Sequence, residues 1–144
     1  MRLTISTTFL SLLLLVTACT KSDQPVPTPS DTYKGTSTLS GTYKGTFQRN
    51  NASSSGQISQ VSLTFADAKW TGTSQIQKYP ALCSGTYEVS SSNEITFVNA
   101  CIWTAEFDWT LILSGKYTLV MKDDELELSK TTGSSQDIYR LRRE

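Results

Sequence analysis

The chain is expected to be all-β: an antiparallel meander closing into a small barrel of about eight strands. Three observations point there. No stretch after Ser40 has helical spacing of its apolar residues, whereas period-two alternation runs almost throughout. About twenty large apolar residues fall on one face of the alternating segments within about 105 residues, enough to fill the interior of an eight-stranded barrel or to line one small ligand site. Turn-forming residues separate the segments at short intervals.

Side chains alternate faces along a strand, so the parity of the apolar positions tracks the buried face. The first strand carries Tyr43, Gly45 and Phe47, and the second Val61, Leu63 and Phe65, all odd. Asp67-Ala68 reverses the chain into Trp70, Gly72, Ser74 and Ile76, all even, and Pro80 stops that strand because it lacks a donor. Tyr87 with Val89 and Ile95 with Phe97 form a hairpin about Ser90–Asn93. Trp103, Ala105, Phe107, Trp109, Leu111 and Leu113 continue the odd face with polar residues between. A Ser114-Gly115-Lys116 loop with Gly115 left-handed leads to Tyr117, Leu119 and Met121. A two- or four-residue turn at Lys122–Glu125 switches parity to Leu126 and Leu128, and Gly133-Ser134 leads to Tyr139 and Leu141.

That makes nine segments, and a closed antiparallel meander needs an even number. The unbroken odd face from Ile95 to Leu113 suggests one long, bent strand, which leaves eight. The alternative is ten, with the first copy of the repeated Thr-Tyr-Lys-Gly-Thr (Thr32–Thr36) as a further strand. The second copy, Thr42–Thr46, is followed by Phe47 and keeps alternating, while the first is followed by Ser37-Thr38. The first is therefore assigned to a tether and the second to strand one.

The N-terminus reads as an address. Arg2 precedes an apolar stretch from Leu3 to Val16, short of the about 20 residues a membrane span needs. Its end, Leu15-Val16-Thr17-Ala18-Cys19, resembles the lipobox of bacterial lipoproteins. The resemblance implies a signal peptide over 1–18, cleavage before Cys19 and acylation of Cys19. Several chains on one cysteine anchor a protein stably. Thr20, rather than Asp, after the cysteine implies sorting to the outer membrane of the cell envelope. Residues 19–38 hold Pro25, Pro27 and Pro29 among Ser and Thr, with almost nothing apolar, and read as a disordered tether. The barrel domain is 39–144.

The full chain has thirteen basic and thirteen acidic residues and no histidine. Loss of Arg2 with the signal leaves one excess negative charge and no block that would attract nucleic acid. A monomer is expected. Histidine-based triads and histidine metal sites are excluded, no Gly-x-Ser-x-Gly stretch occurs, and no cofactor is implied. The chain is read as a binding protein, not an enzyme. Beyond Cys19, two cysteines remain. If the hairpin centres near Ser92, paired positions sum to 184, as Cys83 and Cys101 do, so the two thiols face each other in a compartment that allows a disulfide.

Leu39-Ser-Gly41-Thr-Tyr43 resembles the Gly-x-Trp start of lipocalins, with Tyr in place of Trp. Trp109-Thr-Leu-Ile-Leu-Ser-Gly115-Lys-Tyr117, a hairpin, and the closing Tyr139-Arg-Leu-Arg142 are similar to lipocalin-like domains of bacterial envelope lipoproteins. The resemblance spans Leu39 to Arg143. It implies a barrel that binds a small apolar ligand or an envelope partner, and an arginine of the last strand, Arg140 or Arg142, packed on Tyr43. The candidate ligand-contacting residues are Trp70, Tyr87, Trp103, Phe107, Trp109 and Tyr117. Trp103, Phe107 and Trp109 form the densest aromatic cluster: either core packing, the usual fate of an aromatic stripe at strand spacing, or a stacking wall near a barrel mouth. A second function class is a protein-binding or inhibitory module that acts through its loops over a filled interior. Asp123-Asp124-Glu125 with Glu127 reads as a solvated turn, and Glu106 and Asp108 as a carboxylate pair on the outer face with no nucleophile nearby.

Overall fold

The computed structural model describes residues 39–144 apart from residues 92 and 105 and the side chain of residue 91. Cys19, the signal segment, the tether and the first repeat copy lie outside the described residues. Eight antiparallel strands form a closed barrel in sequence order: β1 (Gly41–Asn51), β2 (Ser54–Ala66), β3 (Lys69–Ser74), β4 (Ser84–Ser91), β5 (Glu94–Asn99), β6 (Gly115–Lys122), β7 (Glu125–Thr132) and β8 (Ser135–Arg143), with β8 pairing back onto β1. The all-β fold class, the meander and the count of eight are as the alternation predicts.

The parity reading selects the core. Tyr43, Phe47, Leu63, Phe65, Trp70, Phe97, Tyr117, Leu119, Leu126, Leu128, Tyr139 and Leu141 are all buried. Each such side chain contributes roughly 1.5–3 kcal/mol relative to exposure. The outward positions of β1 are Thr42, Lys44, Thr46 and Gln48, all polar, which leaves the apolar residues of that strand to the inner face. The second repeat copy lies in β1. Its Gly45 is required by close approach, because a Cβ there would run into the Arg140 carbonyl across the β1–β8 seam.

The turns follow the parity switches. Asp67 and Ala68 both have positive φ, 49° and 60°, which suits the twist of a two-residue hairpin. Asp123-Asp124 and Gly133-Ser134 are also two-residue connections. Gly115 takes φ +83°, as expected, but it opens β6 opposite Phe97 instead of closing a hairpin. The β4–β5 register sums to 184 from Gly85↔Asn99 through Val89↔Ile95, and Cys83 and Cys101 stand at disulfide distance with Cα atoms 6.4 Å apart.

Two expectations are corrected. The long bent strand Ile95–Leu113 does not form. Strand β5 ends at Asn99, and the described residues of 100–114 are an irregular crossing with one 3₁₀ turn, Trp109–Leu111. Both neighbours of β5 run out there: the β4 partner begins at Ser84 and β6 begins at Gly115. A chain continuing past Asn99 has no strand to satisfy its backbone groups. Nine segments become eight because this one is not a strand. Likewise, neither Arg140 nor Arg142 packs on Tyr43. Both are even-numbered on a strand whose odd residues face inward, Arg140 pairs with Glu127 outside at 3.1 Å, and the ring that meets Tyr43 is Phe65 at 5.7 Å.

The meander sorts the connections to two ends. Leu39, the 67–68 turn, the β4–β5 turn, the 123–124 turn and Arg143 lie at the end where the described chain begins. The β1–β2 turn, residues 75–83, residues 100–114 and the β7–β8 turn lie at the other, here the far end.

Candidate functional site

The six aromatic candidates divide into two groups. Trp70, Tyr87 and Tyr117 are interior. They belong to a chain of ring contacts that crosses the barrel: Tyr79 to Phe47 at 5.2 Å, Phe47 to Tyr139 at 4.8 Å, Tyr139 to Tyr117 at 6.0 Å, and Tyr117 to Phe97 at 5.6 Å. From Phe97 it continues to Trp70 at 5.8 Å and to Phe65 at 6.3 Å, and Phe65 meets Tyr87 at 5.1 Å. These separations are those of packed aromatic pairs, so the rings occupy the space that a central ligand would need. The Tyr87 hydroxyl donates to the Leu39 carbonyl at 2.6 Å, and burial is the main cause of its raised pKa. Burial, reinforced by the Asp137 carboxylate, likewise raises the Tyr117 hydroxyl, which therefore stays neutral.

Trp103, Phe107 and Trp109 are neither core nor interior wall. They stand outside the barrel on the 100–114 crossing, at the far end. Trp103 meets Phe107 at 5.4 Å, and Phe107 stacks on Trp109 at 5.9 Å with 20° between their planes. Lys78 Nζ lies 5.2 Å from the Phe107 ring and donates to Thr104 Oγ1 at 3.1 Å. The sequence Lys78–Phe107–Trp109 is thus a cation–aromatic–aromatic stack that ends on Trp109, which is 55 % exposed. Ile102, beside the cysteine cross-link, is 100 % exposed.

The crossing is fastened to the barrel in three places. The Cys83–Cys101 pair ties its start. Near its end, Ala81 N donates to the Leu111 carbonyl at 3.0 Å and Leu113 N to the Ala81 carbonyl at 3.3 Å. Between them sits Arg49, which continues the inward parity of β1 into a polar patch at the far rim. Its Nε and Nη2 hold the two Asp137 oxygens at 2.5 and 2.7 Å, its Nη1 reaches Asp108 Oδ2 at 2.9 Å and Thr110 Oγ1 at 2.7 Å, and its Nη2 also reaches the Thr110 carbonyl at 2.9 Å. The Arg49 and Asp137 side chains are 12 % and 6 % exposed. Asp108 caps the 3₁₀ turn by accepting from Thr110 N at 2.9 Å and from its hydroxyl at 2.6 Å. These bonds, with the Arg49 charge, hold the Asp108 carboxyl below its ordinary pKa.

Beside this cluster a polar cleft of about 320 Å³ opens at the far rim. Its remaining walls are Asn51, Thr132 and Ser135. Ser135 donates to Asn51 Oδ1 at 2.7 Å. Another hollow, a saddle of about 480 Å³, lies on the outer wall among Lys44, Lys122, Arg140 and Arg142, with Glu125 and Glu127 between.

Arg49, Asp137 and Asp108 escaped the sequence reading as functional positions, although two signals for them were present. Arg49 lies two residues beyond Phe47 and Asp137 two before Tyr139, so parity places opposite charges on the inner face of two strands that pair. Asp108-Trp-Thr110 has the spacing of a side chain that accepts from the backbone two residues on. No protein-family model, no curated protein and no solved structure matches the chain.

Proposed function

We propose that the chain is a lipid-anchored envelope lipoprotein, held at the outer membrane by acylated Cys19 and the 19–38 tether, whose lipocalin-like barrel is a scaffold. Binding belongs to the far end, on the 100–114 crossing. The observation that carries this reading is a division of the aromatic residues. Those inside touch one another and leave the interior to themselves, while Trp109 and its stack stand exposed on a segment fastened at both ends and by Arg49. Exposed apolar residues held on a rigid base are a mark of contact surfaces. The ordering entropy of the segment is already met in the free protein, which favours affinity. The lipobox-like Leu15–Cys19 supports the anchor, and the cysteine pair, bonded in an oxidising compartment, fits the same setting.

The test is uptake of an apolar ligand by the soluble chain Thr20–Glu144, which keeps every contact described above. Palmitate titrated calorimetrically should show no saturable site and should leave the melting temperature unchanged. One-to-one binding accompanied by a rise in melting temperature would return the site to the barrel interior and refute the far-end reading.

A further inference from the structure

We infer that the far-rim cleft, lined in part by the turn that carries Trp109, is a binding site for a neutral glycan, an assignment that rests on the far-end reading above and names the chemistry of its partner. The walls of the cleft select the ligand class. Every lining side chain is polar, so a fatty or aromatic ligand has nothing to bury against within the cleft itself. Arg49 has no N–H left for an anion: all five are spent on Asp137, Asp108 and Thr110. Two carboxylates against one guanidinium give the lining an excess negative charge, which disfavours phosphate or carboxylate ligands. The same bonds occupy those carboxylates, with both Asp137 oxygens on Arg49 and the Asp108 oxygens divided between Arg49 and Thr110, so the set is not arranged to hold a cation.

What remains for a ligand is neutral hydrogen-bonding chemistry. The Asn51 amide nitrogen offers two donors, the Thr132 hydroxyl can donate or accept, and the Ser135 oxygen, its proton given to Asn51 Oδ1, can accept. A sugar presents matching hydroxyls along its edge. Its C–H face is apolar, and the complement of that face is an open aromatic ring. Trp109 is not one of the lining residues, but the 3₁₀ turn that carries it also carries the lining residues Asp108 and Thr110; its ring is more than half exposed, with Phe107 stacked beside it. The volume, about 320 Å³, is at the small end of ligand pockets, which suits a short piece of a chain with the rest lying outside.

The experiment uses the mature acylated chain in a detergent without a sugar headgroup. An array of neutral and acidic glycans is screened first, and the best neutral one is titrated calorimetrically. Saturable binding of a neutral glycan is expected. Trp109→Ala should weaken it at least tenfold, Trp109→Phe should keep most of it, and Thr132→Val together with Asn51→Ala should weaken it to a similar degree. All three side chains replaced are at the surface, so unchanged melting temperatures serve as the folding control. The inference is overturned if no glycan binds, if only acidic glycans bind, or if binding ignores the Trp109 and Asn51/Thr132 variants. Failure here leaves the far-end reading standing, since that reading falls only if palmitate enters the barrel.

Discussion

Arg49 is the residue on which the far end turns. A guanidinium presents five donors in a fixed plane, and here each has an acceptor on one of two elements, β8 or the crossing. Replacing it with Ala strands the buried Asp137 carboxylate without a partner, a change that costs about 3 kcal/mol. Urea denaturation of Arg49→Ala should show that loss. Arg49→Lys should recover only part of it, because an ammonium has three donors and no plane. The double variant Arg49→Met with Asp137→Leu should recover most of it, since neither charge is then buried. An Arg49→Ala chain as stable as the parent would mean the cluster is ornamental. Asp108 sets the pH range over which the crossing stays fastened. Its folded pKa is depressed, chiefly by the Thr110 hydroxyl and with help from Arg49, so its contribution is fully present above the unfolded value of 3.8 and is lost as pH falls through the lower folded value. Tryptophan emission should therefore stay constant from about pH 8 to 5 and change only below about pH 4. A transition near pH 6 would assign the fastening to some other group.

At the scale of elements, the crossing between β5 and β6 departs most from the meander. It begins at the Cys83–Cys101 pair, which stands at disulfide distance; a bond there closes a loop of sequence separation 18. A loop of that size corresponds to about 3 kcal/mol of stabilisation. Reductant should lower the melting temperature of the parent by ten degrees or more, and Cys83→Ser with Cys101→Ser should show the same fall without reductant. If neither melts earlier, the pair is not bonded in solution. The strands themselves were legible from parity, because burial of one face is a local constraint that each apolar residue records. Even the β4–β5 register was legible, since a short hairpin centred near Ser92 leaves little freedom. The crossing was not. Trp103 through Leu113 alternate as a strand would, but a strand requires neighbours, and whether β4 and β6 extend far enough to supply them is a property of the whole barrel. The same non-local information hid the site: parity marks Arg49 and Asp137 as inward, yet only closure of β8 onto β1 makes them partners, at Arg49↔Asp137.

At the scale of the whole molecule, the described chain enters at one end of the barrel and the aromatic stack stands at the other. An eleven-residue β1, rising about 3.3 Å per residue and tilted about 40°, separates them by about 25 Å. A partner engaged at Trp109 therefore lies a barrel's length from the point where the described chain begins. Leu39, the first described residue, is buried in the core cluster, and its carbonyl accepts from the Tyr87 hydroxyl. Truncation tolerance follows burial. Deleting Thr20–Thr38, first repeat copy included, should leave the thermal melt within a degree or two of the parent. Extending the deletion through Ser40 removes the Leu39 side chain from the core, worth about 2 kcal/mol, and leaves the Tyr87 hydroxyl without its acceptor, worth about 1 kcal/mol more. For a domain of this size the melting temperature should then fall by about ten degrees or more. Removing Gly41–Phe47 should leave no cooperative melt at all, because β2 and β8 both lose their partner and the barrel opens along two edges. A fall of ten degrees on deleting Thr20–Thr38 alone would make the first repeat copy part of the fold, and the barrel would have to be recast around a longer first strand or an added one.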